Sequence, residues 1–139
     1  MKVNIKKLTN GAIIPKYALD GDAGLDITAL TMEEEGSNLV YRTGLAFEIP
    51  KGFVGLIFPR SSISKKDLVL CNSVGVIDEN FRGEVLFKFK KLKEDGNFYN
   101  VGDRIGQIII LPYPKIEFVE AEELSETNRG SGGYGSTGA

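Results

Sequence analysis

Along most of this chain polar and apolar residues alternate with a period of two. Lys2-Val3-Asn4-Ile5-Lys6 alternates, and so does Leu45-Ala46-Phe47-Glu48-Ile49 up to a Pro-Lys-Gly turn at 50–52. Glu84-Val85-Leu86-Phe87-Lys88-Phe89-Lys90 puts Val85, Phe87 and Phe89 on one face. That period marks a strand with one side in a core and the other in water. Two runs, Phe53–Phe58 and Gln107–Leu111, are almost continuously apolar and predict strands covered on both faces. Turn signals separate the runs at short intervals: Asn10-Gly11, Asp20-Gly21, Glu35-Gly36-Ser37-Asn38, Asp95-Gly96-Asn97 and Val101-Gly102-Asp103. No segment sustains a period of 3.6, and one short helix is expected over Ser62–Asp67. The pattern predicts an all-β protein, a sandwich, jelly roll or barrel with at most that one helix. Strands ending near Ile77 and restarting near Arg82 predict a hairpin whose mouth exposes backbone donors and acceptors.

Length and composition narrow the chemistry. The 139 residues suit one domain with a real core. A net charge of −2 gives no global basic field, so no nucleic-acid partner is expected. One cysteine, Cys71, excludes an internal disulfide, and with no histidine present a zinc site is not expected. The lack of histidine also removes Ser-His and Cys-His nucleophiles. Acid–base work must fall to Asp, Glu, Lys or Tyr. The opening MKVNIKKLTNGA lacks the apolar stretch of a signal peptide, and the apolar run 108–111 is far short of the ~18 residues of a membrane helix. A cytoplasmic protein without a membrane partner is the expectation.

From about Ser125 the chain turns polar and glycine-rich, which predicts a core over 1–124 and a separate tail over 125–139. Ordering eleven such residues costs on the order of 10 kcal/mol, and RGSGGYGSTGA has no large aliphatic residue to offset it. The tail is expected to be mobile until a ligand orders it. Arg129 suits phosphate oxygens, the glycines let amides approach an anion, and Tyr134 can stack on a base. These features suggest a lid over a nucleotide.

Four more stretches carry candidate chemistry. Asp22-Ala23-Gly24-Leu25-Asp26-Ile27 sets two carboxylates beside glycines. Pro59-Arg60-Ser61-Ser62 offers a guanidinium and two hydroxyls after an apolar strand. Residues 72–84 hold the turn after Ile77, and Gly102–Gln107 leads a lone glutamine into an apolar run.

In order and spacing, AGLDI, PRSS, NSVGVIDENFRGEV, GDRIGQ and RGSGGYGSTG resemble the five motifs of the homotrimeric dUTPase family, from Ala23 to Gly138. The resemblance implies a β jelly roll, three subunits sharing each active site, and Mg²⁺-dependent hydrolysis of dUTP to dUMP and pyrophosphate. That activity supplies the dTTP precursor and keeps uracil out of DNA. By motif match Asp78 orients the water that attacks the α-phosphorus and meets the sugar 3′-hydroxyl. Phe81, where tyrosine is usual, lies against the deoxyribose and leaves no room for a 2′-hydroxyl. Asn72 with Gly75, Val76 and Ile77 reads the uracil edge. Arg60, Ser61, Ser62 (commonly glycine) and Gln107 contact the phosphate chain. Arg129 reaches the γ-phosphate, Tyr134 stacks on uracil where phenylalanine is commoner, and Gly135 to Gly138 with Ser136 and Thr137 wrap the phosphates. Asp26 comes near through water. Mg²⁺ rides on the triphosphate with no direct protein ligand, as its reluctance to lose water favours. Two alternatives share the fold: a dCTP deaminase, which should carry a glutamate in its base pocket and lack the tail motif, and a nucleotide-binding signalling module without turnover.

Overall fold

The computed structural model describes residues 1–138. Among these residues ten strands run in the order β1 (Asn4–Lys7), β2 (Leu25–Thr28), β3 (Thr31–Glu35), β4 (Asn38–Arg42), β5 (Leu45–Glu48), β6 (Phe53–Phe58), β7 (Leu68–Leu70), β8 (Gly75–Ile77), β9 (Leu86–Lys91) and β10 (Arg104–Pro112). A single 3-10 turn, Ser61–Lys65, stands where a short helix was expected. Among the described residues no helix is long and apolar enough to cross a membrane.

The strands make a jelly roll of two four-stranded antiparallel sheets. One has the order β2-β10-β6-β8 and the other β3-β4-β9-β7, while β1 pairs with β5 apart. The period-two face predicted for the 84–90 run is the inner face of β9: Val85, Phe87 and Phe89 are all buried. They meet Ile27, Ile57, Ile77 and Ile108 from the facing sheet. The layers touch closely at Gly106, where an added Cβ would collide with the Phe87 ring. An aromatic group fills the middle: Tyr41 and Phe89 meet edge to face at 5.6 Å, and Phe89 and Tyr99 pack tilted at 5.9 Å. Burial pushes the Tyr41 phenol up to about 12. It therefore serves as a neutral donor, to the Tyr99 carbonyl at 2.8 Å.

Two expectations are corrected. The strands flanking Asp78 are not a hairpin: β8 pairs with β6 in one sheet, and β9 with β4 and β7 in the other. Residues 78–85 therefore cross between layers, a step that strand periodicity does not register. Nor is Gln107–Leu111 covered on both faces. Ile108 is buried, Ile109 and Ile110 are partly covered, and Leu111 is exposed. In one chain the outer side of β10 has no second layer.

Past β10 the Tyr113 amide donates to the Gly52 carbonyl at 3.0 Å. Among the described residues no hydrogen bond or ion pair links 114–138 to the body, and Ile116, Phe118, Val119 and Leu124 are exposed.

Thr43 is the buried polar residue of the core. Its hydroxyl donates to the Val85 carbonyl at 2.7 Å and accepts from the Leu45 amide at 3.2 Å. Thr43→Val keeps the shape and strands both backbone groups. A loss of about 1–3 kcal/mol is expected from urea unfolding; an unchanged midpoint would refute the account.

Candidate functional site

Six of the predicted residues, Asn72, Gly75, Val76, Ile77, Asp78 and Phe81, line one pocket of about 200 Å³ with Ile57, Glu84, Val85 and Leu86. Its floor is the short strand β8. Gly75 lies opposite Ile57, and an added Cβ there would collide with the Ile57 side chain. A tight turn leads into it: the Ser73 amide donates to the Leu70 carbonyl at 3.1 Å, and Ser73 takes a φ of 60°. Backbone this constrained can present fixed donors and acceptors to a planar ligand edge.

The crossing segment is fastened just after Asp78. Glu79 accepts from the Gly52 amide at 2.7 Å. Arg82 donates to the Glu79 carbonyl at 2.7 Å, and Glu84 takes the Gly44 amide and Arg42, both at 2.9 Å. The Asp78 carbonyl accepts from the Phe81 amide at 3.1 Å. Its carboxylate is exposed and has no hydrogen-bond partner among the described residues. Phe81 is half exposed, with its ring over Gly83: an added Cβ there would stand 2.7 Å from the ring.

The residues expected at the phosphates gather elsewhere. Arg60 Nε donates to one oxygen of Asp26 at 2.7 Å, and Arg104 Nη1 to the other at 2.9 Å. Asp26 is thus committed to two guanidiniums. Gln107 donates to the Pro59 carbonyl at 3.3 Å and fills the space over Gly24, where an added Cβ would strike its amide oxygen. Ser61 is exposed, whereas Ser62 shares a 2.9 Å hydrogen bond with the Tyr99 phenol.

The tail meets neither group. Arg129 Nε donates to the Gly132 carbonyl at 2.9 Å, Tyr134 is fully exposed, and the amides of Ser136 and Gly138 turn back onto Gly133 and Gly135. Thr137 is exposed. Ala139 lies outside the described residues.

Sequence reasoning passed over Arg104, Gly24 and Tyr99. Arg104 carried a weak signal, a guanidinium three residues before Gln107, which strict alternation puts on the opposite face. An irregularity of register between Arg104 and Gly106 resets the alternation and lets both approach Asp26.

A family model described as dUTPase matches residues 10–138. The deoxyuridine 5'-triphosphate nucleotidohydrolase of Hydrogenobaculum sp. is 39% identical over 142 residues, covering 99% of this chain and 99% of that protein. A mutant dUTPase of Staphylococcus bacteriophage 80alpha, solved with dUpNHpp, is similar at a TM-score of 0.86 and 30% identity, covering 99% of each chain. A mutant dUTPase from phage phi11 of S. aureus, described with a structural Mg(II) ion, is similar at a TM-score of 0.74 and 26% identity, covering 88% of this chain and 98% of that one. The motifs, the jelly roll and these likenesses agree: the chain belongs to the dUTPase family.

Proposed function

We propose that this chain hydrolyses dUTP to dUMP and pyrophosphate, with Asp78 holding the attacking water. One observation carries the reading: Asp78 is the open carboxylate of a pocket whose other carboxylate, Glu84, is already engaged by Arg42 and the Gly44 amide. A carboxylate free of intramolecular partners can accept from a water and aim its lone pair at the α-phosphorus. Positioning of that kind is a large part of what a protein can contribute to phosphoryl chemistry. The backbone of Gly75–Ile77 and the Asn72 amide sit where they can pair with a uracil edge. A site built on such pairing rejects an edge with swapped donors and acceptors by as much as ~10⁴-fold. Phe81 supplies a flat wall for the sugar.

The donor set also bears on the metal. Among the described residues no group of three or more Asp, Glu, Cys or His side chains could hold an ion. Asp26 is taken by Arg60 and Arg104. These residues fit Mg²⁺ carried in on the triphosphate, where it neutralises phosphate charge. Arg60, Ser61 and Gln107 then face the phosphate oxygens, with Asp26 keeping the guanidinium in place.

The separation of parts supports the threefold assembly that the resemblance implies. The Asp78 pocket contains neither Arg60, Ser61, Gln107 nor any tail residue, and the tail leaves its own body after Tyr113. Three copies exchanging these parts would complete each site. In this arrangement residues 1–124 are the core and 125–139 the lid. Arg129 takes the γ-phosphate, Tyr134 covers the base, and Gly135, Ser136 and Thr137 close on the phosphates. Loss of pyrophosphate removes what the lid holds, which couples hydrolysis to release.

The decisive assay offers dUTP, dCTP, UTP and dTTP side by side and scores pyrophosphate and ammonia. Pyrophosphate from dUTP alone is expected; ammonia from dCTP would indicate the deaminase, and binding without product a signalling module. Asp78→Asn should lower turnover by on the order of 10³ and leave dUTP affinity within about tenfold; near-normal turnover would remove Asp78 from its role. Gly24→Ala should displace Gln107 and raise KM for dUTP by about tenfold with the urea midpoint kept; an unchanged KM would disconnect Gln107 from substrate. Chains lacking 129–139 should lose at least ~10²-fold of activity yet run as trimers in light scattering; monomers would make the tail a structural arm.

A further inference from the structure

Tyr99 belongs to none of the five motifs, yet it sits beneath one of them. Its ring is buried against Tyr41 and Phe89, and its carbonyl accepts from the Tyr41 phenol. The base of this side chain is therefore fixed in the core. Its hydroxyl emerges under the 3-10 turn Ser61–Lys65 and meets Ser62 Oγ at 2.9 Å. The turn has no side-chain cap at Arg60, and the neighbouring strand of contacts supplies its hold instead. Asn97 Nδ2 donates to the Lys65 carbonyl at 2.6 Å, and Lys66 Nζ lies 5.1 Å from the centre of the Tyr99 ring. Downstream, Tyr99 leads within a few residues to Arg104, which shares Asp26 with Arg60. One rigid phenol thus contacts the Ser61–Lys65 turn, from a residue a few positions before Arg104.

We propose that Tyr99 is a positioning residue for the phosphate-binding turn, acting through Ser62, and that the Ser62 hydroxyl is a tether and does not touch phosphate. The inference rests on the dUTPase reading. A serine hydroxyl can rotate, but with a buried phenol as partner it is held to one direction. That direction sets the backbone of Ser61 and the root of Arg60. Ser61, exposed and untethered, is the hydroxyl left for the ligand. The role falls on the distal phosphates, since the uracil pocket around Asp78 shares no residue with this turn.

The test compares Tyr99→Phe, Ser62→Ala and the double variant, using a non-hydrolysable imido analogue of dUTP and dUMP as probes. Each single variant should bind the analogue roughly fivefold to tenfold more weakly and dUMP within about twofold of the wild type, and the double variant should be no weaker than either single one. Equal losses for both probes would mean a general structural role and overturn the proposal. So would a loss in Ser62→Ala absent from Tyr99→Phe, which would make the serine a direct ligand, or additive losses. The wild-type chain separates the two levels: if it binds neither probe, the dUTPase reading fails first, before any variant is compared.

Discussion

β10 lies between β2 and β6, and its register with both decides where the polar side chains of three distant segments meet. Gln107 stands opposite Asp26 on one side and Phe58 on the other. Arg60 follows Phe58 by two residues and turns back onto Asp26. A slip by one residue would send Gln107 to the other face and drive Ile108, now almost wholly buried, into water. The apolar packing of Ile108 against the facing sheet therefore holds the register, and the register holds the corner of Asp26, Arg60 and Gln107. The same sheet carries β8, so the floor of the Asp78 pocket depends on that packing through β6.

Much of this was legible along the chain. Alternation located β1, β5 and β9, and glycine-bearing pairs located their turns, because a half-buried strand records its environment at every second residue. What escaped was whatever depends on which sheet a strand joins. Ile77 and Leu86 lie near in sequence but in different layers, so the segment carrying Asp78 read as a hairpin. The register irregularity before Gly106 hid Arg104, since alternation assumes a regular ladder. Asp26 and Ser62 looked available to solvent or ligand because their partners lie 34, 78 and 37 residues away. Motif spacing brought six of the expected residues into one pocket; it did not say which hydroxyls and carboxylates the protein had already engaged.

The molecule separates fixed and unattached parts. The β8 backbone is locked by strand pairing and by a glycine that Ile57 crowds, and the Asp26 corner by paired charges. Among the described residues those at the C-terminus bond only among themselves, through turns made possible by Gly130, Gly135 and Gly138 at positive φ and by Tyr134 at 46°. A surface locked by strand pairing can bind without first ordering its own backbone.

The pairing of two guanidiniums with one carboxylate at Asp26 leaves that corner one positive charge in a chain whose total is −2. Beyond a screening distance of about 8 Å at physiological ionic strength an incoming anion feels little of either. Attraction is thus a short-range affair. A compact polyphosphate can satisfy it in one place. Because both arginines are held before the ligand arrives, capture does not have to immobilise them. Capture of a compact anion at this corner would then rest on local geometry, with the chain's overall charge playing little part.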